Sequence, residues 1–353
     1  MTESKTQMKE DYSRYTHLKI IFIAICVVAT ICTFFVSLCV GTLNLSVGEV
    51  YEHVLNHITG VHVEGADYEY ADNIVWNFRV PRALFAVVAG VALSIAGTVM
   101  QSVMKNPLAD PYTTGVSSGA MFGVALALTL GISVGGSLLV VNAVIFAMIP
   151  IAIIVCMAPF FRRSPASLVL SGIAVSYLFN SLTTLMMVST DSATLSVVYT
   201  WQVGTLSDLN WDVLPLSTGM TLVGLAVLLP LAGKLNIMAL EDKEAKALGL
   251  DIERLRILCL VVLGLMAAIV ISYVGIIGFV GLVIPHMIRM FLGADNKFLL
   301  PASAAFGGVF LLGCDIISRA IDVGATIPVG VITSFIGAPI FLYLIIRQKR
   351  SMW

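Results

Sequence analysis

Glu49, His53 and His57 lie four residues apart in EVYEHVLNHITGVH, which puts a carboxylate and two imidazoles on one face of a helix. That set has the chemistry to bind a metal ion or haem iron. Val50, Val54 and Ile58 make up the opposite face, so the stretch reads first as an amphipathic helix lying on an outer surface, with no metal expected. His286, in IPHMIR, has no second ligand beside it and reads as a helix-packing histidine. Gly275, Gly278 and Gly281 in GIIGFVG imitate a phosphate-binding loop. No strand precedes them and apolar runs flank them, so they are expected to pack helices closely or to break one. Gly115, Gly119 and Gly123, at intervals of four, present a small-residue face for close helix approach. No G-x-x-x-x-G-K-[ST] occurs, so the chain has no P-loop, and work driven by a nucleoside triphosphate needs a partner.

The elements that must position these residues follow from composition. The chain has 353 residues, 58% of them hydrophobic and 12% charged, with a mean hydropathy of +0.97. A soluble domain carries about 45–50% apolar and about 25% charged residues, so this is an integral membrane protein. Its apolar runs are continuous and do not alternate, which selects helices over a barrel as the way to satisfy the backbone in lipid. An all-α fold with ten spans is expected, at approximately 18–40, 83–104, 113–131, 137–161, 167–189, 213–232, 255–274, 276–292, 299–320 and 326–346. The first run has no small-residue cleavage site and reads as a retained span. The organisation expected is an N-terminal segment 1–17, one transmembrane domain 18–346 with an inner segment 233–254, and a tail 347–353. Cys26, Cys32, Cys39, Cys156, Cys259 and Cys314 all fall in apolar runs and read as core packing, not as disulfides.

With the N-terminus inside, 17 of the 20 Lys and Arg residues fall on the inner side, Arg162 and Arg163 among them, which orients both termini to the cytoplasm. The exceptions are Arg79 and Arg82 in FRVPRALF, and Arg319, set against eleven outer acids that include Asp208, Asp315 and Asp322. A stray arginine near a membrane surface is most simply a snorkelling one. In the fifth span Ser176, Asn180, Thr183, Thr184 and Met187 share a face, fit either for interhelical hydrogen bonds or for lining a wet path. In KLNIMALEDKEAKALGLDIERLR, Ile237, Leu240, Ala245 and Leu248 have roughly helical spacing. Gly249 suits the position after a helix, and Asp251 suits the cap of a second short helix.

RVPRALFAVVAGVALSIAGTVMQSVMKNPLADP, VGIIGFVGLVIPHMIRMFLG, GCDIISRAID and IPVGVITSFIGAPIFLYLI, in this order, closely resemble the permease subunits of ABC importers for iron-siderophores, haem and cobalamin, from about residue 79 to 346. The resemblance implies a ten-helix subunit of a bacterial or archaeal cytoplasmic membrane that does no bond chemistry and carries no cofactor. It implies pairing with a second permease subunit, as homodimer or paralogue heterodimer. Two ATPase subunits that hold ATP and Mg, and an extracytoplasmic binding protein, complete the implied assembly; nucleic acid has no part in it. The cargo it implies is a ferric chelate, iron-siderophore first, with haem or cobalamin as the other candidates. By residue, it implies that Arg79, Arg82 and Arg319 dock acidic residues of the binding protein, and that reversing them to Glu spares assembly. It assigns Leu240, Ala245, Leu248 and Gly249 to ATPase coupling, although this chain has Glu241 where the family often has Gly. Asn106, Pro107 and Leu108 fall at the cytoplasmic gate, and the Ser176–Met187 stripe falls on the translocation path. The alternative class is an ion-gradient-driven secondary transporter, which needs intramembrane ionisable groups. Here the clear intraspan pair is Asp315 and Arg319, near the outer end of span nine.

Overall fold

A computed structural model describes residues 2–41, 43–61, 63–132, 139–157, 165–207, 209–321 and 327–349; Arg162, Arg163, Asp208 and Asp322 lie outside them. Among the described residues every regular element is helical. The helices are α1 (Thr2–Cys39), α2 (Val47–Thr59), α3 (Ala66–Asn73), α4 (Val80–Val103), α5 (Val116–Leu130), α6 (Leu139–Met157), α7 (Pro165–Val188), α8 (Ser192–Val203), α9 (Leu214–Leu228), α10 (Ala232–Met238), α11 (Asp242–Ala247), α12 (Ile252–Val274), α13 (Val280–Leu292), α14 (Asn296–Ala320) and α15 (Val329–Lys349).

Eight helical stretches are long and apolar enough to cross a membrane, and the shorter apolar helices α5 and α13 occupy the third and eighth expected spans. The Ala66–Val103 stretch, which joins α3 to α4 through a π-helical turn at Ile74–Arg79, and α12 form the middle of the bundle. Their most apolar windows are 78% and 72% buried, against 11% for Tyr15–Cys39 at the periphery. Small residues make this possible, because without a hydrophobic drive between helices in lipid, backbones must approach closely to gain van der Waals contact. At the α4–α13 crossing a Cβ on Gly97 would lie 1.8 Å from the Gly281 carbonyl oxygen. The Gly119–Gly123 face meets α6, where added Cβ atoms would lie 2.3 Å from the Phe146 oxygen and 2.6 Å from the Asn142 oxygen.

GIIGFVG both packs and breaks. α12 ends at Gly275 (φ 73°), and α13 starts after Phe279 (φ 68°). The free backbone between them is satisfied from elsewhere: Tyr112 donates its hydroxyl to the Ile277 oxygen (2.8 Å), and Thr205 N–H donates to the Val274 oxygen (2.8 Å).

Several expectations are corrected. Asp251 caps α12 itself through the Arg254 N–H, not a second short helix; the two short inner helices are α10 and α11. α8, capped by Asp191 at the Ala193 and Thr194 N–H groups, was not anticipated in the long outer connection. Cys26, Cys259 and Cys314 are buried, but Cys32 and Cys156 are exposed on the chain, since the outside of a membrane helix is as apolar as its core.

Candidate functional site

The N-terminal end of α4 gathers the three exceptional arginines. Arg79 donates Nη1 to the Leu38 oxygen (2.9 Å) and Nη2 to the Leu43 oxygen (2.5 Å). Arg319 donates Nη1 to the Ser37 oxygen (3.0 Å) and the Val40 oxygen, and Nη2 to the Ser37 hydroxyl (2.6 Å). Both guanidiniums thus satisfy carbonyls at and just beyond the C-terminus of α1, which have no partner within the helix. Arg82 places Nε and Nη2 each 2.8 Å from Asp315 Oδ1, and Arg319 Nη2 lies 2.8 Å from Asp315 Oδ2. Asp315 is fully buried, and the Arg82 and Arg319 side chains are only 11% and 5% exposed. With Phe78 and Ser207, the three arginines line one cavity of about 140 Å³. Two guanidiniums share the Asp315 carboxylate and Arg79 adds a third on the cavity wall, which leaves two positive charges in excess, so the cavity favours an anion.

This geometry corrects one part of the docking expectation. The arginines are already engaged within the chain: Arg79 and Arg319 hold the α1 terminus and Arg82 and Arg319 the α14 carboxylate, so reversing all three to Glu is expected to disturb the fold of the subunit as well as docking. The i,i+4 pair of Asp315 with Arg319 was legible in sequence. The Arg82–Asp315 contact, across 233 residues, was not.

Beside this cavity, α2 and α3 carry the His array. Glu49 is consumed by a capping box with Ser46, whose N–H donates to the carboxylate at 2.6 Å. The hydrogen bonds from the Ser46 backbone and side chain hold that carboxyl below its usual range. His53 is buried against Tyr68, its Nδ1 3.6 Å from Asp72, while His57 Nδ1 is 3.1 Å from Asp72 and its ring stacks on Trp76. The two imidazoles therefore staple α2 to the α3 stretch. Ser46→Ala is expected to cost about 1 kcal/mol of local stability, visible as faster amide exchange confined to α2; Ser46→Asp should exchange as the wild type does.

The C-terminal end of α4 leads into KNPLADP. Leu108 N–H donates to Asn106 Oδ1 (2.9 Å) and Ala109 N–H to the Asn106 oxygen (3.1 Å), so Asn106 closes the turn while Pro107 keeps it from helix. Leu108 projects from it, 51% exposed. Asp110 caps a short 3₁₀ turn at Pro111–Thr114, and burial pushes its carboxyl up to about 6. Next to the turn are α10 and α11. Asn236 on α10 donates to Asp295 Oδ1 (2.7 Å) and accepts from the Asn296 N–H (2.8 Å), anchoring α10 to the start of α14. The apolar set of the inner segment divides: Ala245 is fully buried, while Leu240 and Leu248 are 42% and 63% exposed. Gly249 follows α11 with φ 81° and open space around it.

The polar stripe of α7 divides too. Ser176, Thr183 and Thr184 donate to the oxygens of Gly172, Phe179 and Asn180, each one turn back along their own helix. Thr183 is buried, while Asn180 and Thr184 are exposed on the single chain. His286 is buried with its ring edge-on to Phe341 (6.0 Å).

α4 has 24 residues, so at 1.5 Å per residue the arginine cavity and the KNPLADP turn stand about 36 Å apart, a membrane thickness. The model of the FecCD transport family matches residues 28–347. The hemin transport system permease HmuU of Yersinia pestis is 36% identical over 284 residues, covering 78% of this chain and 84% of the relative. The molybdate import system permease MolB of Haemophilus influenzae is 33% identical over 318 residues, covering 90% and 92%. Among solved structures, an inward-facing conformation of a metal-chelate type ABC transporter superposes with a TM-score of 0.80 at 30% identity, covering 92% of this chain and 98% of that one.

Proposed function

Because the chain belongs to the FecCD transport family, as a multi-pass helical permease subunit of an ABC importer in the prokaryotic cell membrane, we propose that the two ends of α4 are its partner surfaces and that its cargo is a ferric chelate. The observation that carries the reading is at the inner end. Leu240, in the link between α10 and α11, and Leu248, just after α11, are 42% and 63% exposed beside the gate turn. Exposed leucines at a cytosolic surface call for a partner, and the partner that supplies what this chain lacks is an ATPase holding ATP and Mg. In this reading Leu240, Ala245, Leu248 and Gly249 form the ATPase seat, two ATPases serve a pair of permease subunits, and both chain termini are cytoplasmic.

At the outer end, Arg79, Arg82 and Arg319 present a positive cavity to carboxylates of a binding protein. Arginine suits this because its fork pairs bidentately with a carboxylate and never loses its charge. Of the three, Arg82 is the one without a hydrogen bond to α1 among the described residues, so Arg82→Gln is the cleaner test: assembly should persist while affinity for the loaded binding protein falls. The exposed Asn180 and Thr184 on α7 fit a path shared with a second permease subunit, copy or paralogue. Iron-siderophore is the first cargo to try. The hemin relative and the metal-chelate structure support an iron chelate, and the molybdate relative defines the competitor.

Reconstitution with the ATPase and binding protein is expected to give vanadate-sensitive uptake of a ⁵⁵Fe-labelled siderophore. Uptake driven by a proton or sodium gradient without the ATPase would instead support a secondary transporter, and selective uptake of molybdate or cobalamin would reassign the cargo. Cysteine at Asn106 or Leu108 should cross-link to its counterpart across a symmetric dimer in one nucleotide state and not in another; state-independent cross-linking would make the turn an ordinary hairpin.

A further inference from the structure

Lys105, the residue before Asn106, joins the gate turn to the inner helices. Its Nζ lies 2.6 Å from Asp242 Oδ1 on α11 and also donates to the Leu240 oxygen in the link between α10 and α11. The two contacts straddle Glu241, so one ammonium pins the junction between α10 and α11. We propose that Lys105 is a positioning residue that transmits ATPase-driven movement of α11 to the gate turn, an inference that rests on the ATPase and gate assignments above.

The packing says which piece can move. α10 buries Ala232, Leu235 and Met238 and is anchored through Asn236. α11 is six residues long and buries only Ala245. A push at Leu248 therefore displaces α11 more readily than α10, and Asp242 rides on α11. Lys105 also holds a left-handed backbone (φ 49°), a region that disfavours L residues with long side chains. A glycine would be more comfortable there; the lysine side chain reaches across to the other segment instead. Both members of the pair are about four-fifths buried, with side chains 18% and 22% exposed, so salt screens the contact little.

A second cation completes the device. Arg256, on α12, places Nη2 3.9 Å from the same Asp242 oxygen, and its Nε and Nη2 have no hydrogen-bond partner among the described residues. Asp242 thus lies between two cations, Lys105 at 2.6 Å on the gate side and Arg256 at 3.9 Å on the bundle side, and a small displacement of α11 would shift it from the first to the second. A carboxylate that exchanges between two fixed cations gives two discrete arrangements, which is what coupling between distant sites requires.

The test uses the whole complex, permease pair with ATPase, in nanodiscs. On a cysteine-free background, Leu108→Cys is labelled with a charged maleimide, with and without ATP plus vanadate. Lys105→Met should leave ATPase co-purification and ATP hydrolysis intact while the nucleotide-dependent change in labelling rate falls about fivefold or more. Lys105→Arg, which keeps the charge and the reach, should retain the change. If the Met and Arg variants behave alike, both gating or both not, the ion pair is not the link and the inference fails. If the unsubstituted chain binds ATPase but its labelling ignores nucleotide, the gate assignment itself is wrong and the inference falls with it.

Discussion

Asp315→Ala is expected to destabilise the folded subunit by about 3–5 kcal/mol, the cost of breaking a buried ion cluster from its shared member. Asp315 is fully buried between Arg82 and Arg319, at 2.8 Å from each. Its loss leaves two guanidiniums facing one another and a third, Arg79, on the wall of the same cavity. Arg82→Met should cost clearly less, because Asp315 keeps its Arg319 partner and Arg82 has no α1 carbonyl to abandon. Arg319→Glu should be at least as damaging as Asp315→Ala, since it sets two carboxylates one turn apart and frees the Ser37 and Val40 carbonyls at the α1 terminus. The fraction of monodisperse protein after graded heating in detergent measures all three. If Asp315→Ala matches the wild type, the cluster behaves as a solvated surface pair and the packing of α1 on α4 and α14 does not depend on it. The same ordering decides how docking can be studied: of the three arginines, Arg82 is the one whose substitution should cost the fold least, and its stability is measured beside its affinity.

Leu248→Asp should abolish stable association with the ATPase while leaving the subunit folded. Leu248 is 63% exposed, so the single chain loses little packing when it changes. In an assembled importer a carboxylate there would have to be desolvated without a partner, a cost of at least about 2 kcal/mol, or roughly thirtyfold in affinity. Ala245 is the contrast. It is fully buried, so a charge there should unfold α11 itself and be read as instability, not as a clean loss of binding. Gly249 separates conformation from space: its φ of 81° with nothing within 4 Å means that a side chain has room but the backbone does not suit it. Gly249→Val should cost about 1–2 kcal/mol of local strain and weaken co-purification, whereas Gly249→Asn should be tolerated because Asn visits this region readily. Full-stoichiometry co-purification with both Leu248→Asp and Gly249→Val would remove the seat from this segment.

Sequence by itself settled the membrane class, the helical fold and the approximate position of the eight stretches long and apolar enough to cross a membrane, because continuous apolar length is a local property that lipid makes decisive. The small-residue faces at Gly119–Gly123 and Gly97–Gly281 were half legible: the four-residue spacing of one marked a packing face, but not which helix it would meet. Local caps behaved likewise. Asp251 was recognisable as a cap, yet which helix it began depended on the continuous run to Val274. What the tertiary structure alone decided is the electrostatic company of each charge. Arg79, Arg82 and Arg319 stood out in the sequence for lying on the wrong side, but Arg82 meets Asp315 across 233 residues, and Arg319 reaches the α1 carbonyls across 282 and 279. Lys105, which sequence reading counted merely as one inner positive, meets Asp242 across 137. Charge pattern tells on which side of the membrane a side chain ends; only the packing of α1, α4, α11 and α14 brings two such ends within the 3 Å or so over which a buried ion pair outweighs its loss of water.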